Sequence, residues 1–268
     1  MFPDTAFIIT LALRMAVTAA FLVTAAAITE RAGAALGAII ATLPISAGPS
    51  YIFLAMDHDA AFISQSALAS IPMSAATVFY ALAYIYVAQR AGMVVSLLCA
   101  LAAWLVCAVL IRQAMWSLTG GIVFNVVAFG VCLPLVQRFR HAKMPLITPR
   151  WYDMPMRAVL VATLVAVVVT LSDRVGPTIS GILALFPMVF TSLAIILHLR
   201  VGGPATAAVI ATGLFGMIGF TLAVIALHLA ALPFGSAVAL SLGLAVAMAW
   251  NFGWWALRRM RAQPLKPS

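Results

Sequence analysis

Two prolines lie within long apolar runs of this sequence, and each is followed closely by small hydroxyl-bearing residues. A proline inside a helix removes one backbone N–H and clashes with the carbonyl group four residues earlier, so polar backbone groups are freed there. Freed carbonyl and N–H groups beside neutral hydroxyls suit a small polar or zwitterionic solute, whereas the plainer alternative is a kink that neighbouring groups absorb. The residues concerned are Pro44, Ser46, Pro49 and Ser50 in the first run and Pro187, Thr191 and Ser192 in the second.

The composition predicts that these runs lie in a membrane. Of the 268 residues, 65% are hydrophobic and only 8% are charged, and the mean hydropathy is +1.16. A soluble domain has roughly a quarter of charged residues, and several runs exceed the roughly 20 apolar residues that cross a bilayer as a helix. Residues 159–171 lack the alternation that a transmembrane β-strand shows. We therefore predict an all-α, polytopic membrane protein.

Short polar breaks divide the chain into nine apolar segments, which predicts nine membrane-spanning helices. If the N-terminus is outside, only Arg112 and Arg174 fall in outer loops, and Arg14 and Arg157 fall in or beside helices. The other Lys and Arg residues fall in the opposite loops and the tail, which favours an N-terminus outside and a C-terminus in the cytoplasm. The segments are residues 6–28, 34–56, 61–88, 92–111, 115–137, 155–171, 177–199, 204–230 and 235–257.

The sequence also matches itself at an offset of 143 residues without a gap. Because so few residues are charged, the matches between charged residues are the informative ones. Segments 1–4 and 6–9 form two copies that segment 5 links, so the copies enter the membrane from opposite sides. Such inverted repeats are typical of secondary transporters. The matched pairs include Arg14 with Arg157, Glu30 with Asp173, Arg31 with Arg174, Gly33 with Gly176, and Pro44 with Pro187.

The repeat predicts four units along the chain. These are residues 1–112 for the first copy, 113–150 for a linking helix and a basic loop, 151–257 for the second copy, and 258–268 for a basic tail.

Five charged residues have two interpretations each. Arg14, within segment 1, either extends to the interface like its repeat partner or pairs with an anionic group of a substrate. Glu30 with Arg31, and Asp173 with Arg174, end segments 1 and 6. These pairs are either solvated helix ends or ion pairs that gate the two faces of a transporter in turn.

Two amides within apolar segments are further candidates for contact with a solute. Gln65 lies with Ser66, Ser70 and Ser74 in a small polar stripe at spacing four. Such a stripe suits either close helix packing or the lining of a cavity. Asn125 is a single amide within segment 5, which suits an interhelical hydrogen bond or a contact with the solute.

The sequence contains no motif that indicates catalysis. It has no P-loop, HExxH or GxSxG pattern and no cluster of carboxylates. The stretch 57–59, Asp-His-Asp, could bind a cation or titrate near neutral pH, but it also fits an ordinary loop. We therefore expect no enzymatic activity, metal or cofactor. The basic residues are scattered between apolar runs, so no nucleic-acid partner is expected either.

The run SGILALFPMVFTSLAIILHLRVGG resembles the signature stretch of small GlpM-type bacterial membrane proteins. Gly181, Phe186, Pro187 and His198 carry the resemblance, which covers about one helix and its exit. The first copy departs from it, because Leu43 replaces the phenylalanine and no equivalent histidine exists. The resemblance implies a four-helix unit, so this chain would be a fused, inverted pair of such units.

The sequence thus predicts a secondary transporter or permease for a small polar solute, placed in the cytoplasmic (inner) membrane of a bacterium. The alternative is a non-transporting membrane scaffold or assembly protein, which would keep its middle dry. The partners expected are the lipid bilayer and the solute. A coupling ion and a second copy of the chain, in a homodimer, are left open as further partners.

Overall fold

A computed structural model of the chain describes residues 5–31, 47–140, 150 and 152–262. Within these ranges all regular secondary structure is helical. The helices are α1 (Thr5–Arg31), α2 (Ala47–Asp57), α3 (Ala60–Val87), α4 (Met93–Arg112), α5 (Leu118–Gln137), α6 (Asp153–Ala184), α7 (Met188–Phe234) and α8 (Ser236–Ala262).

Six of these helices, α3 to α8, are long and apolar enough to cross a membrane. This confirms the all-α, multi-pass membrane class. The six do not correspond one for one to the nine predicted segments, because α6 and α7 have 32 and 47 residues and each continues through a segment boundary. Nine spans and an inverted repeat remain predictions.

Glycines interrupt the two longest helices. Gly176 in α6 and Gly202 in α7 have φ values of 74° and 79°, a region that residues with a side chain rarely adopt. A proline, Pro177 or Pro204, follows each within two residues, where the first turn of a new helix tolerates it. Each long helix therefore consists of two helical parts that meet at a glycine.

Before Gly202, the chain runs parallel to α3. Along α3, the Ser70 hydroxyl contacts the Gly181 carbonyl, and further on the Tyr84 hydroxyl contacts His198. The order of contacts is the same on both segments, so their directions agree.

After Gly202, the chain returns antiparallel to α3. A Cβ added at Gly203 would lie 1.9 Å from the Ala88 carbonyl oxygen, just past the C-terminal end of α3. Ser64, near the start of α3, instead contacts His228, near the end of α7. The helix direction therefore reverses at Gly202.

The middle of the protein is α3. It packs against α2, α4, α5, α6 and α7, and most of its side chains are buried. By contrast, α4, α5 and α8 leave many large apolar side chains exposed, as lipid-facing helices do. Between α3 and α6, a Cβ at Gly181 would lie only 2.1 Å from the Ser66 carbonyl oxygen, so the two backbones are in direct contact.

The helices define two ends of the bundle. At one end His58, after α2, contacts Ser172 of α6 with 2.8 Å between Nε2 and Oγ. We call this the Asp57 end. At the other end the start of α6 contacts Arg200 of α7, and we call this the Asp153 end. Helix α5 connects the two ends, because Phe139 beyond its C-terminus packs on Tyr86 near the end of α3.

Candidate functional site

The helix is interrupted at Pro187. Helix α6 ends at Ala184, and α7 begins at Met188 with Pro187 as its N-cap residue (φ −74°, ψ 52°). The Met188 N–H turns to the Phe186 carbonyl at 2.6 Å, and regular bonding resumes when the Thr191 N–H donates to the Pro187 carbonyl at 2.9 Å. The interruption therefore covers residues 185–187.

The first proline run is described only in part. Pro44 and Ser46 lie outside the described residues, so no structure is assigned to their segment. Pro49 and Ser50 lie in the first turn of α2, and both are buried.

A line of hydrogen bonds joins α3 to the interrupted segment, and we call it the polar seam. Its α3 members occupy one face of that helix at helical spacing. Their partners lie on residues 181–198, on both sides of Pro187. The bonds run from Ser70 Oγ to the Gly181 carbonyl (2.7 Å), from Thr77 Oγ1 to the Leu185 carbonyl (3.5 Å), between Tyr80 Oη and Thr191 Oγ1 (3.0 Å), and between Tyr84 Oη and His198 Nδ1 (2.7 Å).

The seam spans the interruption at its centre. Thr77 makes its long contact with the carbonyl of Leu185, the first residue of the break. Tyr80 binds Thr191, one turn into α7. Of the two hydroxyls predicted after Pro187, Thr191 binds a residue of the seam, whereas Ser192 Oγ donates to the Val189 carbonyl of its own helix at 2.9 Å.

Helix α2 joins the seam through Ser70. The Tyr51 hydroxyl lies 2.6 Å from Ser70 Oγ, which itself donates to the Gly181 carbonyl. The helix that follows the first proline run is thus linked to the half-helix that leads into Pro187. A direct approach of Ser46 to the second break lies outside the described residues.

Two buried polar atoms, one on α3 and one beside it, have no hydrogen-bond partner among the residues that the structure describes. Ser66 Oγ lies one turn before Ser70, where α3 and α6 are in backbone contact. Asn125 Nδ2 donates to the Ile71 carbonyl (2.7 Å) and to the Gly121 carbonyl (2.8 Å), while its Oδ1 is buried and unbonded. Because an unpaired buried polar atom costs about 1–3 kcal/mol, each is a group to which a polar molecule could bind.

The predicted amides do not lie on the seam. Gln65 is exposed, because it is rotated by about 100° around α3 from its neighbour Ser66. Asn125 contacts α3 from α5, at Ile71. The amide therefore fixes the packing of α5 on α3, and its free oxygen is a separate feature from the seam.

Arg14 is paired within the protein. Its Nη2 lies 2.6 Å from Asp57 Oδ1, and the guanidinium also lies 5.5 Å from the centre of the Phe53 ring. The side chains of Arg14 and Asp57 are 17% and 30% exposed. The structure thus gives Arg14 a third role, as a mostly buried partner of a carboxylate that the sequence assigned to a loop.

A second ion pair lies at the Asp153 end. Arg200 Nη1 donates to Asp153 Oδ2 at 2.7 Å, and Nη2 contacts the other carboxylate oxygen. Beside them, Arg150 Nη1 lies 2.6 Å from the Tyr152 hydroxyl. This hydrogen bond, with a smaller contribution from Arg200, lowers the pKa of Tyr152 because a cationic donor favours the phenolate.

The predicted gating residues are only partly described. Glu30 and Arg31 end α1, and their side chains lie outside what the structure describes. Asp173 is largely exposed and lies 3.8 Å from His58 Nε2, and no ion pair joins it to Arg174 in the described part of the chain.

An open apolar groove of about 680 Å³ lies on a different face of α3, between α3, α4 and α5. Its walls are side chains such as Phe79, Leu82, Val106 and Leu135. Such a surface fits a lipid acyl chain and offers nothing to a polar solute.

Sequence reasoning missed the tyrosines and His198 as members of the seam. The serine stripe from Ser66 was the available signal. Continuing it at helical spacing leads to Thr77, Tyr80 and Tyr84 on the same face of α3.

Comparisons of this chain with protein-family models, curated proteins and solved structures find no match. A function for this chain is therefore proposed from its fold and from the seam.

Proposed function

We propose that this chain is a secondary transporter or permease for a small polar solute, which binds where the polar seam crosses the break at Pro187. The observation that carries the proposal is that the polar seam and the helix break at Pro187 lie at the same place. Five hydroxyls and a histidine lie in line through the core, and the backbone of the facing helix is open at the middle of that line. Polar groups inside membrane proteins commonly mark the path of a substrate.

The break supplies both kinds of backbone group. The carbonyls before Pro187 end one half-helix, which favours cations, and the start of α7 presents N–H groups, which favour anions. Non-helical backbone at membrane depth occurs where it is buried in protein or lines a cavity. A solute with both an anionic and a cationic group, or a neutral polar one, fits these surroundings best.

The two ion pairs support the nine-span, inverted-repeat arrangement. At the offset of 143 residues, Arg14 and Asp57 correspond to Arg157 and Arg200. In both copies a charge at the end of the second helix therefore pairs with a charge near the start of the first. The acid and the base are exchanged, because Arg200 pairs with Asp153, one turn before Arg157. The pairs lie at opposite ends of the bundle, as inverted copies require.

A membrane scaffold is the second candidate, and the hydrogen bonding of the seam favours it. Most seam hydroxyls already have protein partners, so the seam could serve only to hold α3 to α6 and α7. Buried hydrogen bonds that never open would leave residues beside Pro187 without access to water.

Access to water at Ser192 distinguishes the two functions. We would replace Cys99, Cys107 and Cys132 by alanine and introduce Ser192→Cys beside the break. A membrane-impermeant thiol reagent is then applied to each face of sealed vesicles. A transporter exposes this position to water from at least one face, so Ser192→Cys should react, whereas Val165→Cys in the apolar core of α6 should not. No reaction at Ser192→Cys from either face would favour the scaffold.

A further inference from the structure

We propose that His198 is the proton-binding site that couples this transporter to a proton gradient, so the coupling ion is H⁺. The inference rests on the proposed function and adds to it the ion and the residue. It depends on the position of His198 in the seam and on the hinge beside it.

The distribution of charge disfavours a metal cation as the coupling ion. The chain has six acidic residues, and none lies within residues 60–152 or 174–268. The seam thus offers carbonyl oxygens at the break but no carboxylate to balance the charge of a metal cation. Histidine is the side chain that takes up a proton near neutral pH, and His198 is the histidine of the seam.

The ring of His198 is held between two elements. Its Nδ1 lies 2.7 Å from the Tyr84 hydroxyl, and the two rings meet edge to face at 6.0 Å. Its Cε1, the ring atom next to Nδ1, would lie 3.1 Å from a Cβ added at Gly203, so this edge of the ring faces the start of the second part of α7. The ring therefore lies between Tyr84 of α3 and the backbone beside the hinge at Gly202.

Protonation of His198 reverses one hydrogen bond. In the neutral tautomer with its proton on Nε2, Nδ1 accepts the O–H hydrogen of Tyr84. When Nδ1 takes up a proton it becomes a donor, so the Tyr84 oxygen must accept and its hydrogen must turn elsewhere. Thr206, on the second part of α7, lies close to Tyr84, and its hydroxyl oxygen is the acceptor that we propose for this hydrogen.

This rearrangement reaches the hinge. Thr206 Oγ1 donates to the Gly202 carbonyl at 2.9 Å, and Gly202 is the residue at which α7 reverses direction. The proton on His198 is therefore linked, through Tyr84 and Thr206, to the backbone that sets the angle between the two parts of α7.

The groups around His198 make its charged form costly. From α3 it faces Tyr84 and, one turn earlier, Tyr80. On its own helix, Arg200 follows two residues later and is paired with Asp153 of α6. The titratable side chains on α4 and α5 are cysteines and the arginines at the ends of these helices. On α8 they are the arginines near its C-terminal end. No carboxylate contacts His198 among the described residues, so its imidazolium form weakens the closed seam.

The solute site and the proton site are two helical turns apart on one face. Thr191 at the break binds Tyr80, and His198 binds Tyr84 one turn further along α3. To open the seam towards the Asp153 end, the chain must separate Tyr84 from His198. Protonation of His198 thus controls access to the break from that end.

The experiment measures how pH changes the labelling of Ser192→Cys from the Asp153 end, in the background without native cysteines. Its rate is divided by that of the exposed Arg90→Cys at the same pH, which cancels the ionisation of the thiol. We expect this ratio to change by several fold between roughly pH 5 and 8. Both His198→Gln and His198→Asn should abolish the change, while Tyr84→Phe should shift its midpoint.

Histidine NMR of the purified protein gives an independent measurement. With ¹³Cε1-labelled histidine, the signal that His198→Gln removes should titrate in the same pH range as the labelling ratio, and the other histidines serve as internal references. A pH dependence that survives in both His198 variants, or a His198 signal that does not titrate, would overturn the inference and leave the transporter proposal standing. If Ser192→Cys does not react at any pH, the proposed function is overturned, and this inference with it.

Discussion

At the scale of single residues, the most informative feature is that two arginines, Arg14 and Arg200, are each paired with a carboxylate of the protein. Arg14 meets Asp57 and Arg200 meets Asp153, each across two helices. A charge inside a membrane protein is costly unless it is paired or hydrated. These arginines are therefore structural clamps at the ends of the bundle, and an anionic substrate would have to compete with a carboxylate to reach them.

The clamp at Arg14 can be tested by a double-mutant cycle. Removing one partner leaves a mostly buried charge, so Arg14→Ala or Asp57→Ala should each destabilise the protein by about 1–3 kcal/mol, allowing for the partial exposure of the pair. The double variant should cost less than the two single effects added together. Unfolding of the detergent-solubilised protein by denaturant measures all four forms. Strictly additive effects would show that the pair contributes no coupling.

At the scale of helices, α3 positions nearly everything else. Its serines permit backbone contact with α6, and its threonine and tyrosines bind the interrupted segment. Glycine at 181 is what allows this approach, because any larger residue would place a carbon against the Ser66 carbonyl oxygen. The solute site proposed at the break thus depends on a contact between two backbones.

Gly181→Ala should therefore separate α3 from α6. Its Cβ would lie 2.1 Å from a backbone oxygen that cannot rotate away, so we expect a loss of about 1–3 kcal/mol of stability. Gly130→Ala on α5 is the matched control, because nothing lies within 4 Å of its Cβ position and alanine favours a helix. Equal melting temperatures for the two variants would contradict the close contact.

Sequence patterns predicted the helices better than the contacts between them. Apolar runs and their polar breaks reveal membrane helices because one segment contains the whole signal. The seam joins residues more than 100 positions apart, such as Tyr80 and Thr191, and tyrosine within an apolar run looks like any other large hydrophobic residue. For Gln65 the error was the opposite one, because a residue predicted to contact the solute is exposed. A helix places neighbouring residues on different faces, and the sequence around Gln65 does not show which face is buried.

The long-range ion pairs were hidden for a similar reason. Asp57 precedes a polar loop, so the sequence favours a solvated position for it. Only the packing of both α1 and α2 on α6 brings its carboxylate to Arg14, 43 residues earlier. The offset of 143 residues paired Arg14 with Arg157 but gave no reason to connect either one with an acid.

At the scale of the whole molecule, charge is distributed unevenly between the two ends. The Asp57 end carries Asp57, Asp59 and Asp173, which offset its arginines. The Asp153 end has Asp153 as a paired acid and a larger number of arginines. These are Arg90, Arg138, Arg140, Arg150, Arg157, Arg200 and Arg259. Positively charged loops stay in the cytoplasm during insertion, so we propose that the Asp153 end lies there.

This orientation predicts opposite labelling at the two ends of α4. Gln113 follows α4 at the Asp57 end and Arg90 precedes it at the Asp153 end, and both are exposed. In cells expressing the variant without native cysteines, an impermeant thiol reagent should therefore label Gln113→Cys directly. Arg90→Cys should become reactive only after the membrane is permeabilised. The reverse pattern would place the Asp153 end outside and reverse the face from which protons reach His198. Labelling of both positions in intact cells would mean that α4 does not cross the membrane, which would remove the alternation on which the inverted repeat depends.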